Sequence, residues 1–150
     1  MVSYVLGFLF DDINYKGPKG PNVVLIEKAR PAWQAGKFNG VGGKIELDEL
    51  PWEAMVREFR EETGVSTQAS DWRYFTVLNF ADLDAKLHVF VASDREAFNN
   101  VKTMTDEKVV TWQVDLIPNT QLVVPNLKWL IPMAMSEPNK SFVVIEHGIS

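Results

Sequence analysis

The chain alternates between short apolar runs and polar, breaker-rich stretches. Residues 5–10 and 23–26 are dense in β-branched and aromatic side chains and too short for helices, so each predicts a strand. Between them Gly17-Pro18-Lys19-Gly20-Pro21 predicts a loop. Residues 28–38 are polar and broken by Pro31 and Gly36, which predicts a second loop. Asn39-Gly40-Val41-Gly42-Gly43 is a glycine-dense turn, suited to backbone that must approach another group closely.

The period then changes. Trp52, Met55, Val56, Phe59 and Thr63 recur at helical spacing and predict a helix over 51–63. Asp48 or Leu50 stands near its start, Pro51 suits the first turn and Gly64 the stop. Strands are expected over 72–80, 87–92, 108–114 and 142–145. A short helix is expected over 94–102 and a longer one over 127–135, despite Pro132. Strands on both sides of two helices predict an α/β fold, a mixed β-sheet flanked by helices.

Composition narrows the function. A length of 150 residues fits a single domain over 1–150, and 46% hydrophobic with 23% charged residues is ordinary globular composition. The absence of cysteine excludes a disulfide framework, a thiolate nucleophile and a Cys-ligated zinc site, and fits a cytoplasmic location. The apolar start is short, lacks basic residues and meets Asp11 and Asp12 at once, so it predicts a strand rather than a signal peptide. No run reaches the ~18 apolar residues of a membrane span, so no membrane partner is expected. A net charge of −5 speaks against long nucleic acid held by a basic footprint.

That charge is local. Residues 46–62 hold seven acids and two bases, which accounts for the whole excess. Within the predicted helix, Glu58, Glu61 and Glu62 stand at i, i+3 and i+4 and share a face about 120° from the apolar stripe. Three carboxylates at that spacing repel one another, and a divalent cation is the obvious compensator; taken alone, an acidic run on a helix is also read as a solvated face. Carboxylate oxygens suit Mg²⁺, with Mn²⁺ as a substitute.

From Gly43 the chain runs five residues to Glu49, seven more to Arg57-Glu58-Phe59-Arg60-Glu61-Glu62, and on through Thr63 to Gly64-Val65. This resembles the Nudix box, GX5EX7REUXEEXGU, over 43–65. Phe59 alone departs, being aromatic where an aliphatic is usual, and it lies on the apolar stripe. The order of elements is also similar to the Nudix α/β/α sandwich. The resemblance implies metal-dependent hydrolysis of a nucleoside diphosphate linked to a group X. It implies Glu58 and Glu62 as metal ligands, Glu61 as a ligand directly or through water, and the Gly43 carbonyl as another. Glu49 is then an auxiliary ligand or the partner of Arg57, and Arg57 holds a carboxylate by a bidentate pair. A carboxylate must also take a proton from water. Glu58 is the first candidate for this base and Glu107, in the loop Thr105-Asp106-Glu107, the second.

The expected partner is a nucleotide or nucleotide derivative. Lys28 and Arg30 lead toward the Gly-rich turn and are candidates for substrate phosphates. Asn39-Gly40-Val41-Gly42-Gly43-Lys44 resembles the corresponding segment of oxidised-purine nucleoside triphosphatases, where the Asn can face the base. Asn126, ahead of the last predicted helix, is a candidate base reader because its amide offers an acceptor and two donors; the other reading is an N-cap. A (d)NTP giving (d)NMP and pyrophosphate is the leading expectation. ADP-ribose, a dinucleoside polyphosphate or an RNA 5′ end is the alternative, and a non-catalytic nucleotide-binding module a remoter one. A homodimer is left open. His88 is expected to be an ordinary strand residue, and His147 supports no role.

Overall fold

A computed structural model describes residues 1–136 and, for the backbone, 142–146; His147 lies outside the described residues. The element order is β1 (Val2–Phe10), β2 (Asn22–Glu27), β3 (Phe38–Asn39), β4 (Val41–Lys44), α1 (Pro51–Thr63), β5 (Arg73–Phe80), β6 (Ala85–Ser93), α2 (Arg95–Asn99), β7 (Val109–Gln113), α3 (Leu127–Ser136) and β8 (Phe142–Glu146). The eight described strands form one mixed sheet with a path β3-β2-β1-β6-β5-β8, while β4 pairs with β1 and β7 with β2. β1 runs parallel to β6 from Val2↔Ala85 to Phe10↔Ser93, and antiparallel to β4. Among the described residues, no helix is long and apolar enough to cross a membrane.

Alternation along the strands sends side chains to two faces, and each face has its own core. Leu6, Phe8, Phe10, Val23, Leu25, Val89 and Val91 pack with Leu127, Leu130, Ile131 and Ala134 of α3. Val5, Leu9, Val24, Ile26, Phe90 and Ala92 pack with Ala54, Met55 and Phe59 of α1. The α/β/α layering expected from the sequence is the observed one. Phe59 is fully buried and meets Trp72 edge-on, so an aromatic side chain fits this position of the stripe. Thr63 is buried as well, its hydroxyl donating to the Phe59 carbonyl at 2.6 Å. Trp52 stays 39% exposed and lies against Tyr74 and Phe90 at the rim.

Helix α1 has the expected bounds. Its start is closed by Glu53, whose Oε1 accepts the Leu50 N–H at 2.8 Å, and its end by Gly64 at φ 78°, whose N–H meets the Arg60 carbonyl. The Gly-dense segment departs from the turn expected there. Residues 41–44 form strand β4, with Gly42↔Leu6 and Gly43↔Val5 in register. Glycine is a poor strand residue, so local propensity argues for a turn; the tertiary pairing with β1 overrides it. The close approach that glycine permits is present: a Cβ on Gly42 would lie 2.0 Å from the Val5 carbonyl oxygen.

Candidate metal and active site

The site lies where β4, the acidic side of α1 and the loop before β7 converge. Glu58, on α1, is 9% exposed. A Cβ on Gly43 would come 2.4 Å from Glu58 Oε1, so the carboxylate rests directly on glycine backbone that no other residue could supply without displacement. Burial pushes the Glu58 carboxyl up from its ordinary value, and its bond to Arg57 opposes that shift only in part.

Arg57 organises one side of the cluster. Its Nε and Nη2 hold Glu49 Oε2 and Oε1 at 2.7 and 2.9 Å, a bidentate pair. Its Nη1 donates to Glu58 Oε1 at 2.9 Å and to Glu61 Oε2 at 3.3 Å, and its Nη2 also reaches the Lys44 carbonyl at 3.1 Å. Hydrogen bonding to Arg57 lowers the Glu49 carboxyl, and the same bond raises the guanidinium. One guanidinium therefore fixes three carboxylates relative to β4.

On the other side, Glu62 Oε2 accepts the Thr105 hydroxyl at 3.1 Å. Burial raises the Glu62 carboxyl, with Glu107 and Glu58 adding to the effect. Glu107 is 3% exposed; Lys28 Nζ meets its Oε1 at 3.2 Å and the Ala29 N–H its Oε2 at 2.8 Å. Arg30 pairs with Asp106 in the same loop. Both cations nominated for substrate phosphates are thus paired with acids in the free protein. Of the two candidate bases, Glu107 has both oxygens engaged and Glu58 one.

The carboxylates of α1 are hard oxygen donors of the kind a divalent cation takes. Glu58 Oε2, Glu61 Oε1 and Glu62 Oε1 accept no hydrogen bond among the described residues. Two of these three carboxyls are pushed up by burial, the condition a bound cation would relieve. The arrangement is not a closed shell: no three acidic or histidine side chains are already gathered around one point among the described residues.

The nominated base readers lie beyond this cluster. Asn39, on β3, is engaged at both ends of its amide: Oδ1 accepts the Gly40 N–H at 2.8 Å and Nδ2 donates to Gln34 Oε1 at 3.1 Å. Asn126 is different. Its Oδ1 is buried and has no hydrogen-bond partner among the described residues, so its side chain does not cap α3. Phe38 exchanges backbone hydrogen bonds with Leu122 and Val124, which brings the segment before α3 beside the strand carrying Asn39. His88 sits on β6 with its Nδ1 against the Tyr74 hydroxyl, away from the carboxylates.

Sequence reasoning missed Thr105, Gln34 and the Lys44 carbonyl. Thr105 and the Lys44 carbonyl have no local signal, because each meets a residue well separated in the chain, whereas Gln34 lies only five residues before Asn39.

Comparison with known proteins bears on the family and the fold. The NUDIX domain family matches residues 13–133. The oxidized purine nucleoside triphosphate hydrolase of Danio rerio is 25% identical over 141 residues, covering 86% of this chain and 87% of the relative. The 8-oxo-dGTP diphosphatase of Escherichia coli (strain K12) is 41% identical over 46 residues, which span 31% of this chain and only 36% of that protein's length. A solved MutT structure, from work on Aliivibrio salmonicida and Vibrio cholerae, superposes with a TM-score of 0.69 at 17% identity, covering 91% of this chain and 98% of that one.

Proposed function

The chain belongs to the NUDIX family, and from that premise we propose that it is a pyrophosphohydrolase acting on a nucleoside di- or triphosphate derivative, with a (d)NTP as the favoured substrate and Mg²⁺ as the metal. The observation that carries this reading is the Glu58 carboxylate, enclosed between Gly43 and Arg57 on the helix face that also bears Glu61 and Glu62. In this reading Glu58, Glu61, Glu62 and the Gly43 carbonyl hold the metal, with Glu49 acting through Arg57. When bound, the metal neutralises phosphate charge and lowers the pKa of water. Glu58 accepts the proton of the attacking water, which adds to phosphorus as the bridging P–O bond breaks; (d)NMP and pyrophosphate leave. Lys28 and Arg30 exchange their acidic partners for phosphate oxygens.

Asn126 supports the nucleotide assignment. A buried amide oxygen without a partner costs about 1–3 kcal/mol. A base amino or ring N–H would satisfy it. The similarity to relatives named for oxidised purine nucleotides points the same way. We take the protein to work as a single domain in the cytoplasm.

Incubation with Mg²⁺ or Mn²⁺ and a panel of (d)NTPs, their 8-oxo forms, ADP-ribose and dinucleoside polyphosphates, followed by identification of both products, tests the proposal. Release of nucleoside monophosphate and pyrophosphate from a triphosphate is the expected result. Cleavage of ADP-ribose alone would move the substrate assignment, and no cleavage of any member would overturn it.

A further inference from the structure

The loop from Lys102 to Glu107 is fastened at both ends. At its start the Lys102 N–H donates to the Thr63 carbonyl at 3.0 Å, beside the end of α1. At its end the Glu107 carboxylate is held by Lys28 and the Ala29 N–H. Between these anchors, Thr105 touches the acidic face of α1. Its Oγ1 accepts the Glu107 N–H at 3.1 Å and lies 3.1 Å from Glu62 Oε2. A hydroxyl has one proton to give. With its oxygen accepting from backbone, that proton is directed at the Glu62 carboxylate. Glu62 Oε1 is left without a partner among the described residues, while the bond on the other oxygen restricts how the carboxylate can rotate.

We propose that Thr105 is a positioning residue that orients Glu62 for the cation, so that metal affinity depends on a loop outside the acidic helix. The inference rests on the reading of Glu62 as a metal ligand. Partners that orient a ligating carboxylate typically account for about 10–100-fold in metal affinity. Thr105 is exposed, so its substitution leaves the core intact.

The test is calorimetric titration of Mn²⁺ into metal-free protein without substrate, comparing wild type, Thr105→Ser and Thr105→Val. Thr105→Ser keeps the hydroxyl and should bind within about twofold of wild type, while Thr105→Val, which removes it, should bind about tenfold more weakly. Unchanged thermal midpoints across the metal-free set, with hydrolysis by Thr105→Val restored at higher Mn²⁺, would support positioning rather than a folding role. Wild-type affinity in Thr105→Val, or equal weakening in Thr105→Ser, would overturn the inference and leave the site reading intact. Failure of the wild type to take up Mn²⁺ would overturn the site reading, and the inference with it.

Discussion

The two sides of the sheet treat their polar groups in opposite ways. On the α1 side charges are dense and held: Arg57 touches Glu49, Glu58, Glu61 and the Lys44 carbonyl, and both oxygens of Glu107 are engaged. On the α3 side the layer is apolar, and at its edge the buried Oδ1 of Asn126 has no partner among the described residues. On the function proposed above, the contrast matches what each side would recognise. Phosphates and a cation need several charges at fixed positions, and those charges repel unless countercharges in the protein hold them before substrate arrives. A neutral base edge needs one acceptor kept open, because a protein partner would compete for it.

Breaking the charged side should have the larger effect. Glu58→Gln keeps the shape but removes the carboxylate charge beside Gly43; kcat should fall by about 10²–10⁴, read in steady-state assays at saturating Mg²⁺. Next is Lys28→Met, which leaves Glu107 buried without its cation. Loss of one partner of a buried pair costs about 3 kcal/mol, measurable by urea denaturation at neutral pH. On the opposite side, Asn126→Ala should raise KM about tenfold for the preferred nucleotide with kcat little changed. It should leave stability of the free protein unchanged or slightly higher, because the unpaired oxygen disappears. A KM effect equal for every base would show that Asn126 contacts something other than the base.

The smallest effect sharpens the electrostatic half of the comparison. The folded-state pKa of Glu62 is raised by burial, so the folded protein holds its proton more tightly than the unfolded chain. That preference stabilises the fold below the unfolded carboxyl pKa and is lost as pH rises through the folded value. Metal-free Glu62→Gln should therefore melt slightly higher than wild type at pH 7, with the difference closing as the pH falls into the carboxyl range. Mg²⁺ should reverse the order at pH 7 by stabilising wild type alone, as differential scanning fluorimetry would record.

Much of the site is legible in one short segment because its chemistry is local. The bounds of α1 follow from a 3.6-residue period, Pro51 and Gly64, all within one stretch of chain. The acidic face follows from the same geometry, since i, i+3 and i+4 fix Glu58, Glu61 and Glu62 on one side whatever the helix packs against. The strand at Gly42-Gly43 was not legible, because its pairing with β1 lies some forty residues away. Asn39 and Asn126 look alike in sequence, yet one amide is engaged by Gln34 and Gly40 and the other has a buried, open oxygen.

The sequence by itself determined the carboxylate constellation, its helix and the layered α/β class, because periodicity and spacing act over one or two turns. Tertiary structure alone decided which carboxylates are enclosed, that Lys28 and Arg30 are already paired, and that Thr105 meets Glu62. Those outcomes depend on desolvation and on contacts between segments far apart in the chain, and neither is encoded in any local pattern.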